Sequence, residues 1–245
     1  MYELKNLKRT CSGLWAVVRY EGVKSLITRG LSFLLHRFFI FEDYYVIVSK
    51  WKDVDKEVEA DYLPEIDNHC YRIITNNQEV DELIADGFEM GAYELNLRIS
   101  VNKGAIAFCH FVGKEFAHFT FYADNPRGKE FIDLLPYKVD FENGQEISGK
   151  SLTIPKYRNL RLRYYNGYVM RKYLWSQGFT GAAYSTRVDN YPALMSHAKP
   201  PEKLVTSRCK YIKILWFKYF KEKNMGPITL KELVETIPER YKKKR

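Results

Sequence analysis

The sequence predicts an α+β fold, a central sheet flanked by helices with an N-terminal helical annex. Three observations carry that expectation. Apolar runs on either side of Gly113-Lys114 read as a hairpin with a two-residue turn. Polar caps open helical patterns directly after strand-like runs. Finally, 46% hydrophobic and 16% aromatic residues in a 245-residue chain supply more core than a disordered polymer would carry. The length suits one large domain or two small ones.

Residues 1–68 read as an annex that packs on the main body of the chain, because one helix-like stretch and the strand-like YYVIVSKW cannot enclose a core alone. Leu26, Ile27, Leu31, Leu34, Leu35, Phe38 and Phe39 recur at helical spacing, with Lys24, Arg29 and Arg37 among them. Such a helix docks on its own protein or lies on a membrane surface, and amphipathic helices more often serve a core.

After Asp67-Asn68 the main body runs from 69 to 223. It opens with the strand-like CYRIIT and the capped helix of NNQEVDELIADGFE, with Val80, Leu83 and Ile84 on one face. The stretch LRISVNKGAIAFCHFVGKEFAHFTFYAD then carries the hairpin. A Gly113-Lys114 turn puts Ala105, Ala107, Cys109, Phe111, Phe116, His118 and Tyr122 on one face, and Ile106, Phe108, Val112, Phe119 and Phe121 on the other. Both faces are apolar, so the pair belongs inside a covered sheet. Cys109 and His118 could then face each other, as core or as an activated thiolate.

A turn at Glu142-Asn143-Gly144 precedes the strand EISGKSLTI, and Tyr164 to Trp175 reads as a helix stopped at Gly178. GAAYSTRV is a further strand, and KLVTSRCKYIKILWFKYFKE reads as two. From 224 to 245, Thr229 and Glu232 form a capping box for a helix with Leu230, Leu233, Val234 and Ile237 on one side, followed by a basic tail expected to be disordered.

The net charge is +9, from 39 bases and 30 acids. Arg240, Lys242, Lys243, Lys244 and Arg245 supply five of those charges, which leaves a mildly basic body. Nucleic acid could engage that tail, but the body is modest for a dedicated nucleic-acid binder. Cys11, Cys70, Cys109 and Cys209 form no CxxC pair, so neither a disulfide framework nor a metal site is expected and a reducing cytoplasm fits. Leu26–Phe41 is too short and too charged to span a bilayer, and MYELKNLKRT lacks a signal-peptide pattern. We therefore expect a cytoplasmic protein that at most touches the inner face of the membrane. GxSxG, GxxxxGK[ST] and GxGxxG are all missing, which disfavours hydrolase, P-loop and Rossmann chemistry.

From Ile147 to Val188 there is no acid and there are eight bases. The densest part, PKYRNLRLR, lies where a strand hands over to a helix, so cations, backbone N–H groups and the positive helix end can converge on phosphate. A solvated basic face is the alternative.

In the order of its elements and in the wording TIPKYRNLRLRYYNGYVMRKYLWSQGF, the chain from 69 to 223 resembles the GNAT superfamily of acyltransferases. Pro155, Tyr157, Arg158, the following helix, the closing Gly178-Phe179 and Asp189-Asn190 carry the resemblance. It implies a mixed, mostly antiparallel sheet and an acyl group passing from acetyl-CoA or another acyl-CoA to an amine, such as an amino sugar of a surface-polysaccharide pathway or a lipid-linked amine. It also implies a bulge beside Ser151–Ile154 that splays two strands, with the pantetheine arm in the gap.

Carried over by position, Ser151, Leu152, Thr153, Arg158, Asn159, Leu160, Arg161, Leu162, Arg163 and Asn190 would hold the cofactor. Counting on from Asn190, His197 falls where the family places its proton-donating tyrosine. Glu146 is the best-placed base, with Glu142, Asp140 and His118 as alternatives. The chain departs from the family in having Arg161 and Arg163 where the pyrophosphate loop has glycines. Glycine lets backbone approach the diphosphate closely. Either the arginine side chains replace those contacts, or the site has decayed into a module that uses them with Tyr157, Tyr164, Tyr165, Tyr168 and Tyr173 to bind nucleic acid or another polyanion. His197 is followed by Lys199-Pro200-Pro201 in place of the family's Gly-Phe.

Overall fold

The computed structural model describes residues 38–199 and 201–242. The helix expected from Leu26 and the last residues of the basic tail therefore lie outside the described residues. The described strands form one sheet. They are β1 (Phe39–Lys50), β2 (His69–Ile74), β3 (Ile106–Val112), β4 (Glu115–Ala123), β5 (Gln145–Thr153), β6 (Gly181–Arg187), β7 (Lys203–Ile214) and β8 (Phe217–Thr229), in the order β2-β3-β4-β5-β6-β1-β7-β8. Neighbours are antiparallel except for β5 and β6, which run parallel.

The helices are α1 (Asn77–Ala85), α2 (Glu94–Asn102), α3 (Pro126–Ile132), α4 (Leu162–Ser176), α5 (Tyr191–His197), α6 (Leu230–Glu235) and the short α7 (Glu239–Lys242). Local chemistry explains where several of them start. Asn76, Asn125 and Asn190 accept from the backbone N–H three residues on, with proline in the first turn of α3 and α5, and Thr229 with Glu232 closes a capping box on α6.

The sheet is covered on both sides. Leu83, Leu97 and Ile132 of α1–α3 pack against Cys109, Phe111, Phe119, Phe121 and Ile147. On the opposite face Tyr165, Val169 and Leu174 of α4, with Leu194 of α5, pack against Ile47, Phe108, Tyr122 and Ala182. Each large side chain so enclosed contributes about 1.5–3 kcal/mol.

Several expectations are corrected. β1 is no annex: it lies between β6 and β7, bonded to both, with Val46 and Ile47 buried on opposite faces. β8 runs through residue 224 to Thr229, so the body does not end at 223. Leu97–Asn102 is helical rather than part of the hairpin. Within the hairpin an irregularity pairs His110 with His118 but Phe111 with Phe116. The extra residue, Ala117, reverses the alternation. His118 and Tyr122 thus share the face of Phe108, while Phe119 and Phe121 join Cys109, so Cys109 and His118 do not face each other.

Candidate functional site

β5 and β6 pair at Gln145–Gly181, Glu146–Ala182 and Ile147–Ala183, and then separate. The cause lies on the other side of β5. Phe119 pairs with Leu152 but Phe121 with Gly149, which leaves Lys150 and Ser151 opposite Thr120, and Lys150 takes a positive φ of 48°. A bulge of this kind bends the strand away from its neighbour. The gap is a crevice of about 420 Å³ between Ser148–Ser151 of β5 and Ala182–Arg187 of β6, roofed by α4 and α5. That volume falls within the roughly 300–1,000 Å³ of small-molecule sites.

Among the described residues the crevice is lined by six cations, Lys150, Arg163, Arg171, Arg187, Lys199 and Lys203, and by no carboxylate. Two of the six are neutralised from outside: Arg171 pairs with Glu57 at 2.8 Å, and Arg187 with Glu42 at 2.8 Å and Asp189 at 2.7 Å. The others have softer partners. Arg163 Nη2 donates to His197 Nε2 at 2.8 Å, Lys203 Nζ donates to the carbonyls of Lys199 and Pro201, both at 2.7 Å, and Lys150 Nζ lies 3.6 Å from the centre of the Phe131 ring. Burial, reinforced by Arg171 and Arg163, pulls the Lys203 ammonium down to about 7. Cations crowded this way favour an anion among them.

The loop before α4 keeps its bends without glycine. Asn159 and Arg161 have φ of 66° and 59°, and a left-handed residue with a side chain costs roughly 1–2 kcal/mol. Arg161 stands at the first glycine position of the family pattern, and its side chain turns outward to the Asp61 carbonyl and over the Tyr164 ring. No side chain caps α4, so the first N–H groups of the helix are left for solvent or a ligand. Arg163, at the second glycine position, turns inward.

Of the other residues expected to hold a cofactor, Ser151 and Asn190 line the crevice. The Oγ1 of Thr153 is bonded to Nδ1 of His118 at 2.8 Å, and its carbonyl accepts from Arg158 Nε at 3.4 Å. Arg158 and Asn159 are exposed outside the crevice wall. The side chains of Leu152, Leu160 and Leu162 pack into the core, which leaves only their backbone groups to face a ligand.

The expected acid and base are also revised. Glu146 is buried, does not line the crevice, and neither of its carboxyl oxygens has a hydrogen-bond partner among the described residues. Burial holds its pKa well above the ordinary carboxylate value and favours the protonated form. His197 does line the crevice. Burial, then Arg163 and Lys203, hold its pKa well below 6.5, and Nε2 accepts from Arg163, so no imidazolium is present to donate. Glu142 and Asp140 lie in the turn before β5, outside the crevice.

Sequence reasoning missed Tyr184 of β6. Its ring lies 4.7 Å from that of His197, and its hydroxyl is buried in the crevice wall with no hydrogen-bond partner among the described residues. Burial raises its pKa, so the phenol holds its proton. A second feature is a polar chain in which His118 Nε2 meets Thr120 Oγ1 at 3.2 Å and Thr120 donates to Ser151 Oγ at 3.0 Å. Neither could be read from GAAYSTRV or EFAHFTFYA, because no motif marks them.

The tyrosines of the loop and helix are committed inward. Tyr157, Tyr165 and Tyr168 are buried, and Tyr62 stacks on Tyr164 and Tyr168 at 4.9 and 4.7 Å. They offer no exposed platform for nucleic-acid bases. Among the described residues there is no group of side chains suited to a metal, Cys70, Cys109 and Cys209 are free thiols, and no helix is long and apolar enough to cross a membrane.

No family model matches the chain, and no curated protein matches it. Solved structures similar to it include a tandem GNAT protein from the clavulanic acid biosynthesis pathway, at 12% identity and a TM-score of 0.42, over 77% of this chain and 55% of that one. A GCN5-related N-acetyltransferase from Kribbella flavida is similar at 13% identity and a TM-score of 0.33, over 64% of this chain and 54% of that one. The chain thus spans little more than half the length of these structures. Its architecture is a mixed, mostly antiparallel sheet with helices on both faces, with a bulge in β5 and a parallel pair, β5 and β6, that separates beyond Ile147.

Proposed function

We propose that the protein is an acyltransferase that uses acyl-CoA as co-substrate and an amine, such as an amino sugar, as acceptor. The observation that carries this reading is the crevice between β5 and β6, lined by cations without a carboxylate and roofed by a helix whose N-terminus has no side-chain cap. Its residues suit a diphosphate carrier: Arg163, Lys199, Lys203 and the first turn of α4 would hold the phosphates, and the β5 edge freed at Ser148–Ser151 would hold an amide-bearing arm. When bound, such a carrier supplies the thioester that an amine attacks.

The chain's own groups fit the proton movements of that chemistry. Tyr184 keeps a proton on an otherwise unpartnered hydroxyl in the crevice wall, where it can go to a departing thiolate. His118 is held neutral by burial, then by His110 and Arg163, and its Nε2 meets Thr120, which donates to Ser151 on the crevice wall.

Thermal unfolding with added acetyl-CoA tests the reading. At a hundred times its dissociation constant, a ligand that binds only the folded chain stabilises it by about 2.7 kcal/mol. Unchanged unfolding with acetyl-CoA and with other short acyl-CoAs at millimolar concentration would overturn it.

A further inference from the structure

The most exposed large apolar side chain among the described residues is Trp216, 86% exposed at the tip of the β7–β8 hairpin. It is not isolated. The pairing registers set Phe39, Ile214 and Phe217 side by side across β1, β7 and β8, and Phe41, Ile212 and Tyr219 in the next row on the same face. Of these six, all but Ile212 are exposed. The rows beyond them change character. Lys210 and Lys221 stand beside Asp43, then Arg208 beside Lys223, with Asp43 taken up by Arg208 in an ion pair.

We propose that this hairpin tip docks on an anionic lipid bilayer. Rows on one face of a strand are about 7 Å apart, so the turn and its two apolar rows span the roughly 5–10 Å that interfacial elements bury at the headgroup boundary. Tryptophan at the tip is the side chain that boundary favours. The basic rows come next, at the level of the headgroups, where each lysine or arginine is attracted by anionic lipid.

Charge and geometry weigh against other occupants. Residues 1–37 reach the body at Phe38, whose carbonyl accepts from Leu215 N. They carry seven bases and two acids, so that segment repels the basic rows while an anionic surface attracts both. β8 is an edge strand, but Lys218, Lys221 and Lys223 along it oppose strand pairing with a second copy. The strands flanking the crevice separate toward Arg187, which pairs with Tyr44, five residues from Phe39. The crevice mouth thus lies at the same end of the sheet as the hairpin, about 17 Å back by strand rise, and docking turns it toward the lipid.

Co-flotation of the full chain with vesicles tests the docking without reference to acyl transfer. Vesicles of equal parts phosphatidylcholine and phosphatidylglycerol should carry the protein at low salt, and phosphatidylcholine alone should not. Trp216→Ala combined with Phe217→Ser, and separately Lys221→Glu combined with Lys223→Glu, should each weaken flotation by about ten-fold or more. All four positions are exposed, and circular dichroism checks that the variants fold. The proposal is overturned if the wild type does not float with the anionic vesicles, or if either variant floats as well as wild type. It is equally overturned if the tip substitutions merely convert a dimer to a monomer and leave flotation unchanged.

Discussion

Lys203 offers the sharpest test of the crevice electrostatics. Its ammonium stands at the start of β7, bonded to two carbonyls at 2.7 Å, and burial with Arg171 and Arg163 pulls it from 10.5 to about 7. That displacement corresponds to roughly 5 kcal/mol against the charged form in the folded chain. Between pH 7 and 10.5 the unfolded chain holds a proton that the folded chain has shed, so stability rises with pH across this window. Below 7 both states are protonated, and the penalty is constant and at its largest. Lys203→Met should abolish the slope. It also gives up two carbonyl hydrogen bonds, worth about 1 kcal/mol each, so the net gain at pH 6 should be about 2–3 kcal/mol.

An anion reverses the balance. A diphosphate beside Lys203 restores the proton, so affinity for acetyl-CoA should be full below pH 7 and fall as pH rises through it, by about ten-fold between pH 6 and pH 8. Urea unfolding and titration calorimetry on wild type and Lys203→Met across this range measure both effects. The ligand's own phosphate ionisation cancels in the difference between the two proteins. An unfolding slope that survives the substitution, or an affinity that does not fall more steeply for wild type, would refute the argument.

Glu146 holds a proton in the folded chain that the unfolded chain releases above pH 4.5, so its burial makes stability decline as pH rises from there. Glu146→Gln should remove that decline in pH-dependent urea unfolding and leave acyl transfer intact; a large loss of turnover would restore the carboxyl as a base. Tyr184→Phe removes a hydroxyl that bonds to nothing among the described residues. It should change stability by less than about 1 kcal/mol while lowering turnover on the order of a hundred-fold, and equal turnover would remove Tyr184 from the chemistry. Gly181 starts β6 where an added Cβ would lie 2.4 Å from the Ser49 carbonyl oxygen. Gly181→Ala should therefore cost on the order of 3 kcal/mol, read as a lower urea midpoint.

What could be read from the sequence was local. The Gly113-Lys114 turn, the polar cap before the helix of NNQEVDELIADGFE, the Thr229 capping box and the stop at Gly178 are each fixed by chemistry within a few residues, and all are found. What stayed hidden depends on residues far apart in the chain. β1 reads as an annex because its partners, residues 181–187 and 203–214, come more than a hundred positions later. Ala117 reverses the hairpin alternation without any turn residue to announce it. Lys203 and Tyr184 matter only because β6, β7 and α4 converge on one space, and no spacing in the sequence encodes that convergence. The hydrophobic pattern gave Ile84 to a buried face, yet it is exposed, since one turn of α1 overhangs the core.

The loop before α4 shows how a chain can keep its bends without glycine. Glycine at the positions of Arg161 and Arg163 would serve two purposes, a left-handed bend and room beside the crevice. At Arg161 the bend is retained with a side chain attached, at a cost of about 1–2 kcal/mol, because the side chain has the open direction toward Asp61 and Tyr164. At Arg163 the room is given up, and the space holds a guanidinium bonded to His197. Lys150, on the crevice wall, and Asn159, outside it, are also held at positive φ. Of the three strained positions, only Lys150 lines the cation-lined crevice. Arg161 therefore keeps the bend with its side chain turned away from the crevice, and Arg163 puts a charged group in the crevice wall.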